Sequence, residues 1–392
     1  MPTQRHIALI TTGGTISSVS TAQGIAPRKG MVEGMLTSER MGYKLQEGSY
    51  VSGDGNAKID VISLFDKDST NIGFKDREVI ARSVFDALKE YDGVVVTHGT
   101  DTLANTSHSL SLWLKHPLKT VVITGAFKTV EENDSDAWDN LRDSITVACE
   151  GLCGVFVVFH GRVLRGETVF EKIEGQNGSV IKTFDSMFGS VAQMQGNTPL
   201  YAKPPVVGFP VDRDTMPFLD IRHDESVIYL TLPISPEKFM KVAETFNGIV
   251  IEATASGGIP DTLLQYIEKV AKTKPVVLGR RYAPNQEGGV YVVARAAEET
   301  GVIVGSGVPK FDEAALSHIL GRIKDEQQMW SAEERVRHIK GQFNYIVGEV
   351  VRMRESLLKA PALNGNSMEL FKGLGRRLNR TASPAKRVMR AG

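Results

Sequence analysis

Three short polar clusters carry hydroxyls beside a tight glycine turn or a carboxylate: Thr15 after Gly13-Gly14, Ser69 with Thr70, and Thr100 with Asp101. A hydroxyl is a poor nucleophile until a neighbouring base takes its proton, and a further polar group must then steady the charged base. Lys172 is a candidate for that base, because a lysine desolvated near other cations accepts a proton more readily, so a Thr-Lys-Asp arrangement works without histidine. Taken singly, each residue has a plainer role: Thr100 and Asp101 as a helix N-cap pair, Thr15 as a turn hydroxyl, Lys172 as a solvated lysine. His98 reads as a packing or hydrogen-bonding residue beside its loop. Only the joint occurrence of these groups at one edge of a fold points to function.

The elements that must position them are legible as apolar runs. Ile7-Ala8-Leu9-Ile10 stops at Thr11-Thr12-Gly13-Gly14-Thr15, and paired glycines let the backbone turn tightly and expose its N–H groups. A strand over 59–64 precedes Ser69 and Thr70, and a helix follows over 75–91. The strand at 93–97 breaks at Gly99 and hands over to a helix over 103–114, and Val121 to Ala126 is followed by a helix over 137–149. A strand over 154–159 leads into the polar stretch 161–190, which carries Lys172 and Lys182. Strand, loop and helix in series predict an α/β fold with a parallel-type sheet flanked by helices and the loops on one edge. The segment 18–55, with a short helix over 31–41, reads equally as a lid or as a surface excursion.

At 392 residues the chain exceeds the roughly 250–300 at which single cores stop growing, which predicts two domains. Prolines 199, 204, 205, 210 and 217 mark a linker, giving 1–196 as the N-terminal domain, 197–225 as linker, 226–345 as a smaller C-terminal α/β domain and 346–392 as a helical and basic extension. The second domain is read as strands over 227–232, 248–251, 276–278 and 290–294 with helices over 236–246, 260–273, 312–324 and 332–345.

Lys plus Arg equals Asp plus Glu at 46 each, so there is no global field to recruit nucleic acid or an anionic membrane; only the basic tail after Glu369 is a candidate for an anionic partner. With no apolar h-region at the start and no run near the ~18 residues that span a bilayer, a cytoplasmic protein is expected. Cys149 and Cys153 read as two small buried thiols rather than zinc ligands. There is no GxSxG, no HExxH, and no GxGxxG after the first strand.

Thr12-Gly13-Gly14-Thr15-Ile16 and His98-Gly99-Thr100-Asp101-Thr102, in this order and spacing, resemble the two signature motifs of the bacterial-type L-asparaginase and glutaminase family, to which the D chain of the glutamyl-tRNA amidotransferase is related. The resemblance extends through Thr124-Gly125-Ala126, 136–141 and 247–250, and covers the chain to about Tyr345. It implies an asparaginase-like fold and an amidohydrolase that opens the side-chain amide of L-asparagine or a related small amide through a threonyl acyl-enzyme. Thr15 then corresponds to the nucleophile, Ser69 to the serine on the substrate α-carboxylate, and Thr100, Lys172 and Asp101 to the triad, with Asp101 also holding the α-amino group. Ala126 corresponds to the carbonyl that orients the amide, and the Gly13-Gly14 loop to oxyanion donors. Lys182 is a second candidate for the triad lysine. No metal or organic cofactor is implied. A homodimer or homotetramer is, with Ser256 and Glu287 near the places where a neighbour closes the site. Two positions depart from the pattern: Thr70 stands where many asparaginases have glutamine, and Ile25 where the family has a tyrosine, for which Tyr43, Tyr50 or Lys172 are the possible replacements.

Overall fold

The structure is a computed structural model and describes residues 4–115, 117–173, 183–187, 189–201, 217–253, 258–279, 292–324 and 330–359. The chain opens with β1 (Arg5–Gly13), a hairpin of β2 (Ser18–Thr21) and β3 (Gly24–Pro27), α1 (Met31–Thr37), a second hairpin of β4 (Lys44–Gln46) and β5 (Ser49–Val51), and β6 (Ala57–Lys67). It continues through α2 (Phe74–Glu90), β7 (Gly93–Thr97), α3 (Leu103–Trp113), β8 (Leu114–Lys115), β9 (Thr120–Thr124), α4 (Ala137–Cys149), β10 (Gly154–Phe159), β11 (Arg162–Arg165), β12 (Ala192–Gln195) and β13 (Thr198–Tyr201). One sheet takes ten of these strands in the order β13-β12-β11-β10-β9-β7-β1-β6-β5-β4, and its central strands β6, β1, β7, β9 and β10 are parallel.

The apolar runs of these strands are continuous because both faces of the sheet are covered. Ile7 and Leu9 join Val95 and Val122 in a cluster with α1 and α4, while Ala8 and Ile10 join Val94, Val96, Val121 and Ile123 on the other face, under α2 and α3. Alternate residues thus bury in opposite directions, as a strand requires. The segment over 18–55 is anchored rather than free: Val32, Met35 and Leu36 of α1 are buried and β4-β5 extends the sheet, while the β2-β3 hairpin is largely exposed. Cys149 and Cys153 are unpaired thiols, and burial pushes them up to about 12 and about 11.

Beyond β14 (Phe218–Leu219) a second, parallel sheet of order β15-β16-β17-β18 is built from β15 (Val227–Thr231), α5 (Pro236–Thr245), β16 (Gly248–Glu252), α6 (Asp261–Ala271), β17 (Val276–Gly279), α7 (Val292–Glu299), β18 (Ile303–Val304), α8 (Pro309–Ile323) and α9 (Ala332–Lys359). α5 and α6 cover one face and α8 the other. Phe311, Leu316 and Ile319 of α8 belong to the same buried cluster as Leu103 and Leu110 of α3, so one apolar contact joins the two sheets.

Three expectations change. The strand expected over 290–294 is helical at Val292, Val293 and Ala294, the opening of α7: the Val-Val pair favours a strand, but Ala-Arg-Ala-Ala-Glu-Glu are good helix formers, and Ala297 buries in the α5-α6 cluster. α9 runs past Tyr345 to Lys359, because Ile339, Phe343, Val347 and Val350 keep one helical stripe buried. Within the proline-rich stretch Thr198–Tyr201 pairs with β12, while 202–216 lies outside the described residues.

Candidate active site

Four loops leave the carboxyl ends of neighbouring parallel strands β6, β1, β7 and β9, and three close backbone approaches hold them together. Gly14, at φ 80°, has no room for a Cβ, which would fall 2.5 Å from the Cα and N of Gly99. A Cβ on Gly99 would lie 2.6 Å from Ser69 Oγ, and one on Gly125 would lie 2.3 Å from the His98 carbonyl oxygen. Thr12 Oγ1 donates to the Thr97 carbonyl at 2.8 Å and ties the ends of β1 and β7.

Thr15 opens a 3-10 turn, Thr15–Ser17, whose other two residues are buried. Its half-buried hydroxyl makes no hydrogen bond among the described residues, and neither does that of Thr100. The turn is closed by Ser17 N–H and Ser18 Oγ, both donating to the Gly14 carbonyl, at 2.9 Å and 2.8 Å. Gly14 N–H is spent on the Lys67 carbonyl at 3.0 Å, which corrects the expectation that it serves as an oxyanion donor. The first N–H groups of a helical turn, here that of Thr15, have no intrahelical partner.

Ser69 is buried and organises the second motif. Its hydroxyl accepts from Asp101 N–H at 3.1 Å and its carbonyl accepts from Thr102 Oγ1 at 2.8 Å, which leaves the Ser69 proton for a further acceptor. Thr70 is exposed; its N–H and hydroxyl donate to Asp68 Oδ1 at 2.8 Å and 2.6 Å. These bonds, with a smaller contribution from Lys172, hold the Asp68 carboxyl below its ordinary range. α3 begins at Leu103 with no side-chain cap, so Thr100 and Asp101 are not a cap pair.

Asp101 Oδ1 instead meets Lys172 Nζ at 2.6 Å, with the ammonium 5.8 Å from the Phe127 ring centre. Lys172 is held by a short antiparallel ladder in which Ile173 N–H donates to the Thr183 carbonyl at 2.7 Å. Among the described residues the carboxylates of Asp101 and Asp68 lie beside it.

Ala126 is buried in a loop fixed by residues that spacing alone did not single out. Asn140 Nδ2 donates to the Gly125 carbonyl at 2.9 Å and Asn140 Oδ1 accepts from His160 N–H at 2.8 Å, while Asp136 accepts from Phe127 N–H and Lys128 N–H, each at 3.0 Å. The aspartate before a predicted helix was the available signal, but its carboxylate turns back onto the loop instead of capping. His98 is fully buried, bonded to the Gly99 carbonyl and Thr106, and burial pushes it down to about 4, so it is neutral.

The tyrosine question has a geometric answer. Ile25 sits on the projecting hairpin, 59% exposed, with Ser20 N–H opposite it on Glu131 at 3.1 Å. Tyr43 packs near Cys149, at the far end of a helix whose first turn adjoins the site, about 20 Å away at 1.5 Å per residue. Tyr50 pairs with Ile59 near the start of β6, about 26 Å from the site end of that strand. Neither reaches the reacting loops. Lys182, Ser256 and Glu287 lie outside the described residues. Among the described residues no three His, Cys, Asp or Glu side chains are placed to hold a metal ion, and no helix is long and apolar enough to cross a membrane.

The Asparaginase, N-terminal family model matches residues 6–206. The chain belongs to the asparaginase family. It is 33% identical over 341 residues to an L-asparaginase of Thermococcus kodakarensis, covering 84% of this chain and 97% of that one. The solved thermostable L-asparaginase of that organism superposes with a TM-score of 0.68 at 32% identity, over 86% of this chain and 96% of the other. The D chain of the glutamyl-tRNA(Gln) amidotransferase of Methanobrevibacter smithii is 27% identical over 352 residues, covering 88% of this chain and 78% of that one. This asparaginase-family chain is thus an amidohydrolase with a large sheet and a smaller C-terminal α/β part.

Proposed function

We propose that the chain hydrolyses the side-chain amide of L-asparagine, or of a related small amide, to the acid and ammonia. The observation that carries this reading is the 2.6 Å contact of Lys172 with Asp101, which follows Thr100 in a loop whose Gly99 lies against the Gly14 backbone next to Thr15. Thr15 Oγ attacks the amide carbon and its proton passes through Thr100 and Lys172 to the leaving nitrogen. The C–N bond breaks, ammonia departs, and water then cleaves the threonyl ester. Thr15 N–H faces the oxyanion. Ser69 donates its free proton to the substrate α-carboxylate, Thr70 lies beside it, the remaining Asp101 oxygen takes the α-ammonium, and the Ala126 carbonyl orients the amide N–H; Gly14 supplies the turn. No cofactor enters this scheme.

The same reading makes the protein a cytoplasmic homodimer or homotetramer, with 1–196 and 226–345 as its two domains joined through 197–225, and 346–392 as an extension. A second reading, a component of a multi-chain amidotransferase, is favoured by the kinship with the glutamyl-tRNA(Gln) amidotransferase. Ammonia release from L-Asn, D-Asn, L-Gln and small amides, with Thr15→Val as control, tests the assignment. Release from L-Asn that Thr15→Val lacks is expected; equal release by Thr15→Val refutes the nucleophile. Release that needs added partner proteins favours the second reading.

A further inference from the structure

Away from the reacting loops, a cavity of about 220 Å3 lies where α2 and α3 of the first sheet meet α8 of the second. None of Thr15, Ser69, Thr100, Asp101, Ala126 or Lys172 lines it. We propose that this cavity binds a small organic carboxylate, anchored by Arg77.

Arg77 lines the cavity with an incompletely satisfied guanidinium. Arg77 Nε is sealed from solvent and has no hydrogen-bond partner, and its guanidinium makes no ion pair among the described residues. Asp76 pairs with Lys67 at 2.6 Å and Glu313 with Lys310 at 3.2 Å, and Asp224 of the lining accepts from Ser226 N–H at 2.8 Å; Glu225 also lines the cavity. Burial accordingly holds the Arg77 guanidinium below its ordinary pKa. A buried polar group without a partner is costly, and a guanidinium fork matches a carboxylate with two parallel hydrogen bonds.

The walls define the rest of the ligand. Phe74 and His223 stack with centres 3.7 Å apart, and Trp113 meets Phe74 edge-on at 5.3 Å, giving a flat apolar surface beside the cation. At about 30 Å3 per water the volume suits a compact body of a few carbons. The lining carries Asp224, Glu225 and Glu313 beside Arg77, Arg222 and Lys310, which disfavours a dense polyanion. Flat or short-chain monocarboxylates fit this combination. Binding at this cavity does not depend on the reaction proposed above.

The test is calorimetric titration of the full chain with benzoate and butyrate, neither of which carries the ammonium group of an amino acid, and with inorganic phosphate. One site is expected for a carboxylate, with Kd below about 1 mM. Thr15→Val should bind equally. Arg77→Met should weaken binding at least about tenfold, the loss of a charge-assisted pair. Ala314→Phe keeps Arg77 and fills the space, and should also abolish binding, so the result does not hang on one variant. Melting curves of both variants establish that they fold. No binding of either carboxylate to the wild type, unchanged binding in folded Arg77→Met, or binding of phosphate alone would each overturn the assignment.

Discussion

Replacing Lys172 with methionine separates what the Lys172 ammonium does for the fold from what it does for the reaction. The pair with Asp101 is 2.6 Å long, but its side chains are 26% and 38% exposed. Part-exposed pairs contribute about 1 kcal/mol or less, so the melting temperature should move by no more than about 4 °C. A group that passes a proton in the rate-limiting step contributes about 10²–10⁴ in rate. Lys172→Met should therefore lower kcat by about 10²–10⁴ in an ammonia-release assay while its thermal unfolding, followed by circular dichroism, stays close to that of the wild type. Lys172→Arg restores a cation opposite Asp101, but the guanidinium does not give up its proton, so the unfolding curve should recover and turnover should not. Turnover within about twofold of the wild type in Lys172→Met would refute the assignment, and full recovery in Lys172→Arg would reduce Lys172 to an electrostatic role.

Asn140→Ala leaves the Gly125 carbonyl and His160 N–H without a partner; a loss of about 1–3 kcal/mol per group and a lower kcat/KM from the displaced Ala126 loop are expected in denaturant titrations and initial rates. Gly14→Ala places a Cβ 2.5 Å from the Gly99 backbone at a left-handed φ, so destabilisation of about 2 kcal/mol or more and loss of turnover should accompany each other. Asp312 is fully buried, and burial pushes it up to about 7 from 3.8, so the folded state holds a proton that the unfolded chain has released between those values. Stability should fall as pH rises from about 4 to 7, and Asp312→Asn, which keeps the acceptor for Ser306 N–H, should flatten that fall in melting curves taken at several pH values.

Local pattern alone determined the central strands of the first sheet, the edge at which they end, and the hydroxyls and carboxylate that follow them, because apolar periodicity and glycine punctuation are properties of short windows. The run at Ile7 to Ile10 and the turn at Gly13-Gly14 put the Thr15 hydroxyl just beyond a strand end without any knowledge of its neighbours. What only the tertiary structure decided was the pairing between windows. The fold brings Lys172 onto Asp101, a pairing that no short window contains. Backbone contact between Gly14 and Gly99 fuses two motifs and fixes which N–H groups are spent. Packing against the α5-α6 cluster resolves Val292–Glu299 as helix, burial of Phe343, Val347 and Val350 carries α9 to Lys359, and the position of α4 and β6 keeps Tyr43 and Tyr50 away from the site. Each is a contact between residues distant in sequence, set by the order of parallel strands and the helices laid over them, and no short window encodes it.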